Sequence, residues 1–225
     1  MQSFAHRDHR HQVAGEAFMS ETHGNVMNWG RPYDVVTRVV FPLMLGHREQ
    51  TFRRKIADMA RLQPGERVLD VGCGTGTLAL VARERVGETG RVCGIDPAPK
   101  QIAYARHKAA QRGLPIDFQI GVIEEIAYPD RSFDVVLSTM MMHHLTEDLK
   151  RRGLAEIARV LKPGGRLLIL DMRGAGRWKS HMADQPALMK EAGFAAVETG
   201  KSPFRGLDFA LGRMSKTGEE GTARL

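Results

Sequence analysis

Two cysteines in 225 residues, Cys73 and Cys93, are too few for a disulfide framework or a multi-thiolate metal site, and they read as small core residues in a reducing compartment. Aromatic residues make up only 6%, which with the absence of an RNA-recognition signature argues against a base-stacking nucleic-acid surface. No stretch approaches the roughly 18 uninterrupted apolar residues of a membrane span. The N-terminal residues MQSFAHRDHRHQ are charged where a secretory segment would be apolar, so a cytoplasmic protein is expected. What is present describes an ordinary globule: 42% hydrophobic residues, 26% charged and only 10 prolines. That composition excludes wholesale disorder and collagen-like repeats.

A formal charge of +7 invites a polyanionic partner, but the basic residues are scattered over several presumed helices (Arg53 to Lys55, Arg106 to Lys108, Lys150 to Arg152) and not gathered on one. His6, His9 and His11 lie in an aperiodic stretch over residues 1–18, read as a flexible tail without the supporting shell a metal site needs, so no metal is expected. Residues 19–62 are read as N-terminal helices, with Phe52, Ile56, Met59 and Ala60 at helical spacing and Pro64-Gly65 as the stop. From residue 63 to 214 the pattern alternates. Short β-branched runs at 67–72, 91–96, 117–121, 133–138 and 166–171 are separated by helical stretches near 77–87, 99–112 and 147–161, which predicts an α/β fold with a largely parallel sheet covered on both faces. The segment ADQPALMKEAGF reads as a last helix with Gly193 as its cap, followed by two closing strands, AAVETG and LDFALGRM, and a frayed end over 215–225.

The sharpest signal is VLDVGCGTG at 68–76, where a hydrophobic strand runs into Gly72, Gly74 and Gly76 and then into a helix. Glycines at such a turn permit unusual dihedrals and let a ligand approach the backbone at the carboxyl edge of the sheet. Their spacing is G-x-G-x-G, whereas a dinucleotide site prefers G-x-G-x-x-G, which counts against a nicotinamide-linked oxidoreductase. Asp96 stands 20 residues beyond Gly76 at the end of the second strand, where a carboxylate accepts both hydroxyls of a ribose. A bound nucleoside is implied.

With these residues the chain resembles the class I S-adenosylmethionine-dependent methyltransferases over roughly residues 33–213. VLDVGCGTG is similar to their first motif and GIDPAPKQIAYAR (94–106) to their second. GVIEEIAYPDRSFDVVLSTMMMHHL (121–145) and EIARVLKPGGRLLILD (156–171) match the later segments. The resemblance implies a Rossmann-like, seven-stranded, mostly parallel sheet of order 3-2-1-4-5-7-6, the last strand antiparallel, with S-adenosylmethionine across the carboxyl ends of strands 1, 2 and 4 and S-adenosylhomocysteine as product. It implies cofactor contacts at Tyr33, Asp70, Gly72, Gly74, Gly76, Asp96, Gln101 and Thr139, with Pro97 packing on adenine and the backbone of Val122 and Ile123 reading its edge. Val122 stands where relatives often carry an acid. Trp29 and Tyr33 are read either as aromatic faces beside the sulfonium or as packing of an N-terminal helix.

Methyl transfer mainly requires alignment of acceptor, methyl and sulfur with water excluded. A general base helps where the acceptor is a hydroxyl or acidic carbon, and His143 and His144, following the fourth strand, are the candidates, with His144 expected to be the inward, structural one. Met140 to Met142 suit an adaptable apolar pocket. Residues 172–186, with Arg173, Arg177, Trp178, Lys179 and His181, read either as a lid for a small or anionic acceptor or as a solvated basic loop. STMMMHHL lacks the D/N/S-P-P-aromatic element of nucleic-acid amino methylases, and both cysteines lie in the cofactor scaffold, which argues against arsenite. The function expected is methyl transfer to an O, N or C atom of a small-molecule acceptor. A non-catalytic protein that binds S-adenosylmethionine, or a quinone or lipid methyltransferase, stands as the alternative, and the oligomeric state, a homodimer included, is left open.

Overall fold

The structure, a computed structural model, describes residues 28, 30–32, 49–173 and 184–216. Seven strands form one sheet of order β3-β2-β1-β4-β5-β7-β6. In chain order the elements are α1 (Glu49–Met59), β1 (Arg67–Val71), α2 (Thr77–Val86), β2 (Arg91–Asp96), α3 (Pro99–Gln111), β3 (Asp117–Ile120) and β4 (Phe133–Thr139). A 3-10 turn (Met142–His144) then leads to α4 (Glu147–Val160), β5 (Leu161–Met172), α5 (Gln185–Glu191), β6 (Ala196–Lys201) and β7 (Leu207–Arg213). The first five strands run parallel, and β7 pairs antiparallel with both β5 and β6. This is the strand order that the resemblance implies, with the last strand antiparallel.

The period of two along each strand divides the core. Val68, Val135, Leu137, Leu168 and Leu170 face one layer with Phe52 and Ile56 of α1, Leu80 of α2 and Ile102 of α3. Leu69, Val71, Val136, Leu167 and Ile169 face the other, with Leu154 and Ile157 of α4 and Leu188 and Met189 of α5. Central strands buried on both faces explain why these segments read as continuous apolar runs. Among the described residues no helix is long and apolar enough to cross a membrane.

Two local features differ from the sequence reading. Helix α1 ends before Pro64-Gly65: the Leu62 amide donates to the Ala57 carbonyl and the Arg61 amide to Asp58, with Arg61 at φ 55°, a Schellman closure made without glycine. Its last carbonyls are held by Arg166 of β5, whose Nε donates to Ala60 and Nη2 to Arg61, both at 2.7 Å. The segment LKPGG is also more than a helix stop. It opens β5, with Leu161 paired to Phe133 and the register shifting before Val135 meets Arg166. Gly164, at φ 74°, donates to the Ser215 carbonyl. The expected second N-terminal helix, the 1–18 tail and most of the end segment lie outside the described residues. Gly193 follows α5 at φ 95°, with its amide on the Lys190 carbonyl, as expected for a cap.

Candidate functional site

Parallel strands bring their carboxyl ends to one edge, and here the ends of β1, β2 and β4 surround a cleft of about 1020 Å³ including its open mouth. After β1 the chain turns through Gly72 (φ 70°), Gly74 (φ 53°) and Gly76 (φ 73°) into α2. Gly72 and Gly74 line the cleft. A side chain at Gly72 would collide with Met141. Gly76 is buried and lies outside the lining. A Cβ there would sit 2.6 Å from the Phe118 ring and 2.9 Å from Ala105, so this glycine serves packing of α3 and β3 against the loop, not ligand approach.

Asp96 crosses the cleft mouth to the glycine loop. Its Oδ2 accepts the Gly74 amide and its Oδ1 the Ala98 amide, each at 2.9 Å. The carboxylate therefore joins the loops after β1 and β2, and the capping role open to any acid at a strand end is realised together with its position on the cleft. Burial raises its pKa to about 6, with the two amides pulling the other way. Pro97, Gln101, Val122, Ile123 and Thr139 complete the part of the lining assigned from sequence. At the α3 N-terminus, Lys100 donates its amide to Asn28 Oδ1 at 3.0 Å. Tyr33, Trp29 and residues 174–183, with Arg177, Trp178, Lys179 and His181, lie outside the described residues.

Asp70 is 1% exposed at the floor of the cleft, and its Oδ2 meets no hydrogen-bond donor among the described residues. Burial pushes its pKa up to about 7; the Arg53 guanidinium opposes this, Asp96 adds to it, and the Ala79 amide in the first turn of α2 opposes it again. Arg53 itself lines the cleft from α1. Sequence reasoning missed it because one basic residue on an amphipathic helix carries no local signal, and only the sheet packing of α1 turns it inward. Thr75, Thr77 and Glu124 also line the cleft and were not singled out.

At the end of β4, Met140 adopts φ 55°, an uncommon left-handed conformation for a side-chain-bearing residue, and the chain enters the 3-10 turn. Met142 is fully buried, whereas Met140 and Met141 line the cleft. His143 is bonded to β5: its Nδ1 lies 2.7 Å from Oδ1 of Asp171, and its backbone amide donates to Oδ2 at 3.1 Å. His144 lines the cleft, its ring 4.0 Å from that of His143. Strand β5 carries a fully buried acid to the level of His143. Asp171 was legible only as the last letter of RLLILD. A carboxylate accepting at Nδ1 fixes the proton there and leaves Nε2 as the acceptor in the neutral ring. Among the described residues no group of acids, histidines and cysteines is arranged to hold a metal ion.

A family described as methyltransferase domain matches residues 68–165. An arsenite methyltransferase of Halobacterium salinarum is 34% identical over 157 residues, covering 62% of this chain and 40% of that protein. A demethylmenaquinone methyltransferase of Deinococcus radiodurans is 38% identical over 139 residues, covering 62% and 55%. The chain thus spans about half the length of the curated relatives it matches. Among solved structures, a SAM dependent methyltransferase from Aquifex aeolicus superposes with a TM-score of 0.64 at 22% identity, over 80% of this chain and 96% of that one, a likeness of fold.

Proposed function

We propose that this chain, whose residues 68–165 match a methyltransferase domain, moves the methyl group of S-adenosylmethionine to an oxygen, nitrogen or carbon of a small-molecule acceptor. The observation that carries this reading is the convergence on one cleft of Asp96, hydrogen-bonded to the glycine loop, and the buried Asp70 with an unbonded oxygen.

The residues present fit the donor. Asp96 retains lone pairs beyond those used by Gly74 and Ala98 and faces the cleft mouth, as a ribose diol requires. Pro97, Val122 and Ile123 supply an apolar wall for a flat base. An orphaned carboxylate oxygen in a buried site calls for a cationic donor, and the ammonium of an amino acid answers Asp70 Oδ2. When bound, S-adenosylmethionine supplies a methyl group already activated by sulfonium for in-line displacement. The chain's own task is alignment and exclusion of water, which Met140, Met141 and Leu145 serve at the acceptor side. His144 takes the acceptor's proton where one must leave, and His143, fixed by Asp171, packs against its ring.

Relatives named for quinone and arsenite methylation direct the choice of acceptors. Cys73 is buried and Cys93 half-buried, each raised in pKa chiefly by burial, which disfavours the thiolates that arsenite requires. Calorimetry with S-adenosylmethionine, S-adenosylhomocysteine and NAD, followed by turnover with phenols, amines, quinones and arsenite, tests the reading. Binding of the two adenosyl ligands but not NAD, with turnover of an organic acceptor, is expected. Failure to bind either adenosyl ligand overturns it, and binding without turnover on any acceptor assigns the chain to a non-catalytic ligand-binding role.

A further inference from the structure

The wall of the cleft that follows β3 is a loop, Gly121 to Glu124. Its start is tied to β2, where the Gly121 amide donates to the Asp96 carbonyl at 3.2 Å, and an isolated bridge between Val122 and Glu125 closes its turn. Val122 and Ile123 carry apolar side chains, so a polar reading of a base at this wall falls to the loop's peptide groups and the Glu124 carboxylate. Such groups select a ligand only if the backbone that carries them is fixed.

The fixing comes from α4. Leu154 and Ile157 bury this helix against the sheet, and from position 153 successive steps of three residues meet the loop. A side chain at Gly153 would lie 2.6 Å from Ile123, so the helix is bare where Ile123 packs. Glu156 Oε2 accepts the Ile126 amide at 2.9 Å. Arg159 donates through Nη2 to the Ile126 carbonyl at 2.8 Å, and through Nη1 to the Tyr128 carbonyl at 2.9 Å and Asp130 Oδ1 at 2.7 Å. The two side chains are also joined to each other, Nε to Oε1 and Nη2 to Oε2, each at 2.8 Å. A part-exposed Glu–Arg pair three residues apart on a helix adds little by its charges alone. Here the pair takes both polar groups of one residue, the buried Ile126, as a neighbouring strand would, in the irregular segment between β3 and β4. The clamp closes two residues beyond the cleft lining.

We propose that Glu156 and Arg159 are positioning residues for base selection: they hold the loop so that its polar groups match the edge of adenine, a donor amino group beside an acceptor ring nitrogen, and reject a base with the reverse pattern. Neither residue lines the cleft, so both act through the loop. The proposal rests on the S-adenosylmethionine reading of the cleft.

The test compares S-adenosylhomocysteine with S-inosylhomocysteine, in which a carbonyl replaces the amino group and the adjacent ring nitrogen carries a proton. Calorimetry on the wild-type protein is expected to show at least about tenfold preference for the adenosyl ligand, the scale of one hydrogen bond against an unpaired group. Glu156→Ala is expected to lose most of that preference, with S-adenosylhomocysteine weakened about tenfold and S-inosylhomocysteine within about twofold of wild type. Arg159→Lys keeps the charge but cannot reach both carbonyls as a fork does; it is expected to lie between, and it carries the test if Glu156→Ala does not fold. A merely structural role would lower the urea midpoint and weaken both ligands alike. That result, or an unchanged preference, overturns the positioning role. Wild-type protein that binds both ligands equally overturns base selection by the loop, and wild-type protein that binds neither overturns the reading of the cleft itself.

Discussion

His143 is held to Asp171 at both its ring and its backbone, Nδ1 to Oδ1 at 2.7 Å and amide to Oδ2 at 3.1 Å. Oδ1 also accepts the Met172 amide at 2.7 Å, so the carboxylate is saturated by donors in a fully buried position. An acid bonded this way can dictate which ring nitrogen carries the proton. Asp171→Asn keeps the shape, but both oxygens accept backbone amides, so its NH2 group faces an N–H donor in either orientation and is expected to displace the His143 turn and the His144 ring packed on it. On an acceptor that must lose a proton, the single-turnover rate should fall about 100-fold or more, the range of general acid–base effects, with S-adenosylhomocysteine affinity unchanged. Rapid-quench rates for Asp171→Asn and His144→Ala check this, and wild-type rates in both would remove the histidines from proton transfer.

Asp70 and Asp96 make the ligand-free protein less stable as pH rises. Both have folded pKa values raised by burial, to about 7 and about 6, above the ordinary 3.8. Below pH 3.8 folded and unfolded chains are equally protonated at these groups and the folded state carries no penalty. Between there and about pH 7 the unfolded chain releases protons that the folded one retains, so stability falls through that window and levels off above it. One pKa unit corresponds to about 1.4 kcal/mol, so the effect of Asp70 is on the order of a few kcal/mol. Asp70→Asn is expected to abolish its share of the slope and to be more stable than wild type at neutral pH, while binding S-adenosylhomocysteine more weakly. Urea midpoints of both proteins across that window decide it; parallel curves would mean that Asp70 ionises freely.

The glycine requirement at Gly76 is steric as well as conformational. Gly76→Ala puts a methyl 2.6 Å from Phe118 at a φ of 73°. Gly113, the left-handed cap after α3, has a φ of 62°, and a methyl added there would meet nothing within 4 Å, so Gly113→Ala reads the dihedral cost without a clash. We expect about 1 kcal/mol for Gly113→Ala and at least about 3 kcal/mol for Gly76→Ala, read from urea unfolding with m unchanged. Equal costs would show that Phe118 yields freely.

The alternation of strands and helices was legible because each element reports its own period, and the glycine loop and Asp96 because a tight turn and a strand-end acid lie in short sequence windows. Gln101, Val122, Ile123 and Thr139 followed from the resemblance. Arg53, Lys108 and Asp171 did not, for a common reason. Each acts on a partner far along the chain: Arg53 near Asp70, Lys108 on Thr75 and Thr77, Asp171 on His143. Such pairings exist only after the sheet sets β1, β4 and β5 side by side. That Asp171 meets His143 has the same origin, since adjacent residues in a 3-10 turn point to different neighbours and the sequence does not say which one faces Asp171.

Arg166 links the sheet to the helix that carries Arg53. It forms a two-pronged pair with Glu66, Nη1 to Oε1 at 2.7 Å and Nη2 to Oε2 at 2.9 Å, and donates to the Ala60 and Arg61 carbonyls at the end of α1. With the arginine side chain 9% exposed and the glutamate 16%, solvent does little to screen the pair. Arg166→Leu leaves a part-buried carboxylate and two helix-end carbonyls without their donor, and the expected loss is about 3–5 kcal/mol. Arg166→Lys keeps the charge but cannot span Glu66 and both carbonyls at once, so it should fall between. Because α1 brings Arg53 to the cleft beside Asp70, loosening its C-terminal end should also weaken S-adenosylhomocysteine binding in Arg166→Leu at temperatures where the protein remains folded. Urea titration and calorimetry on the same preparations read both effects. A large stability loss with wild-type affinity would show that α1 holds Arg53 in place without this anchor.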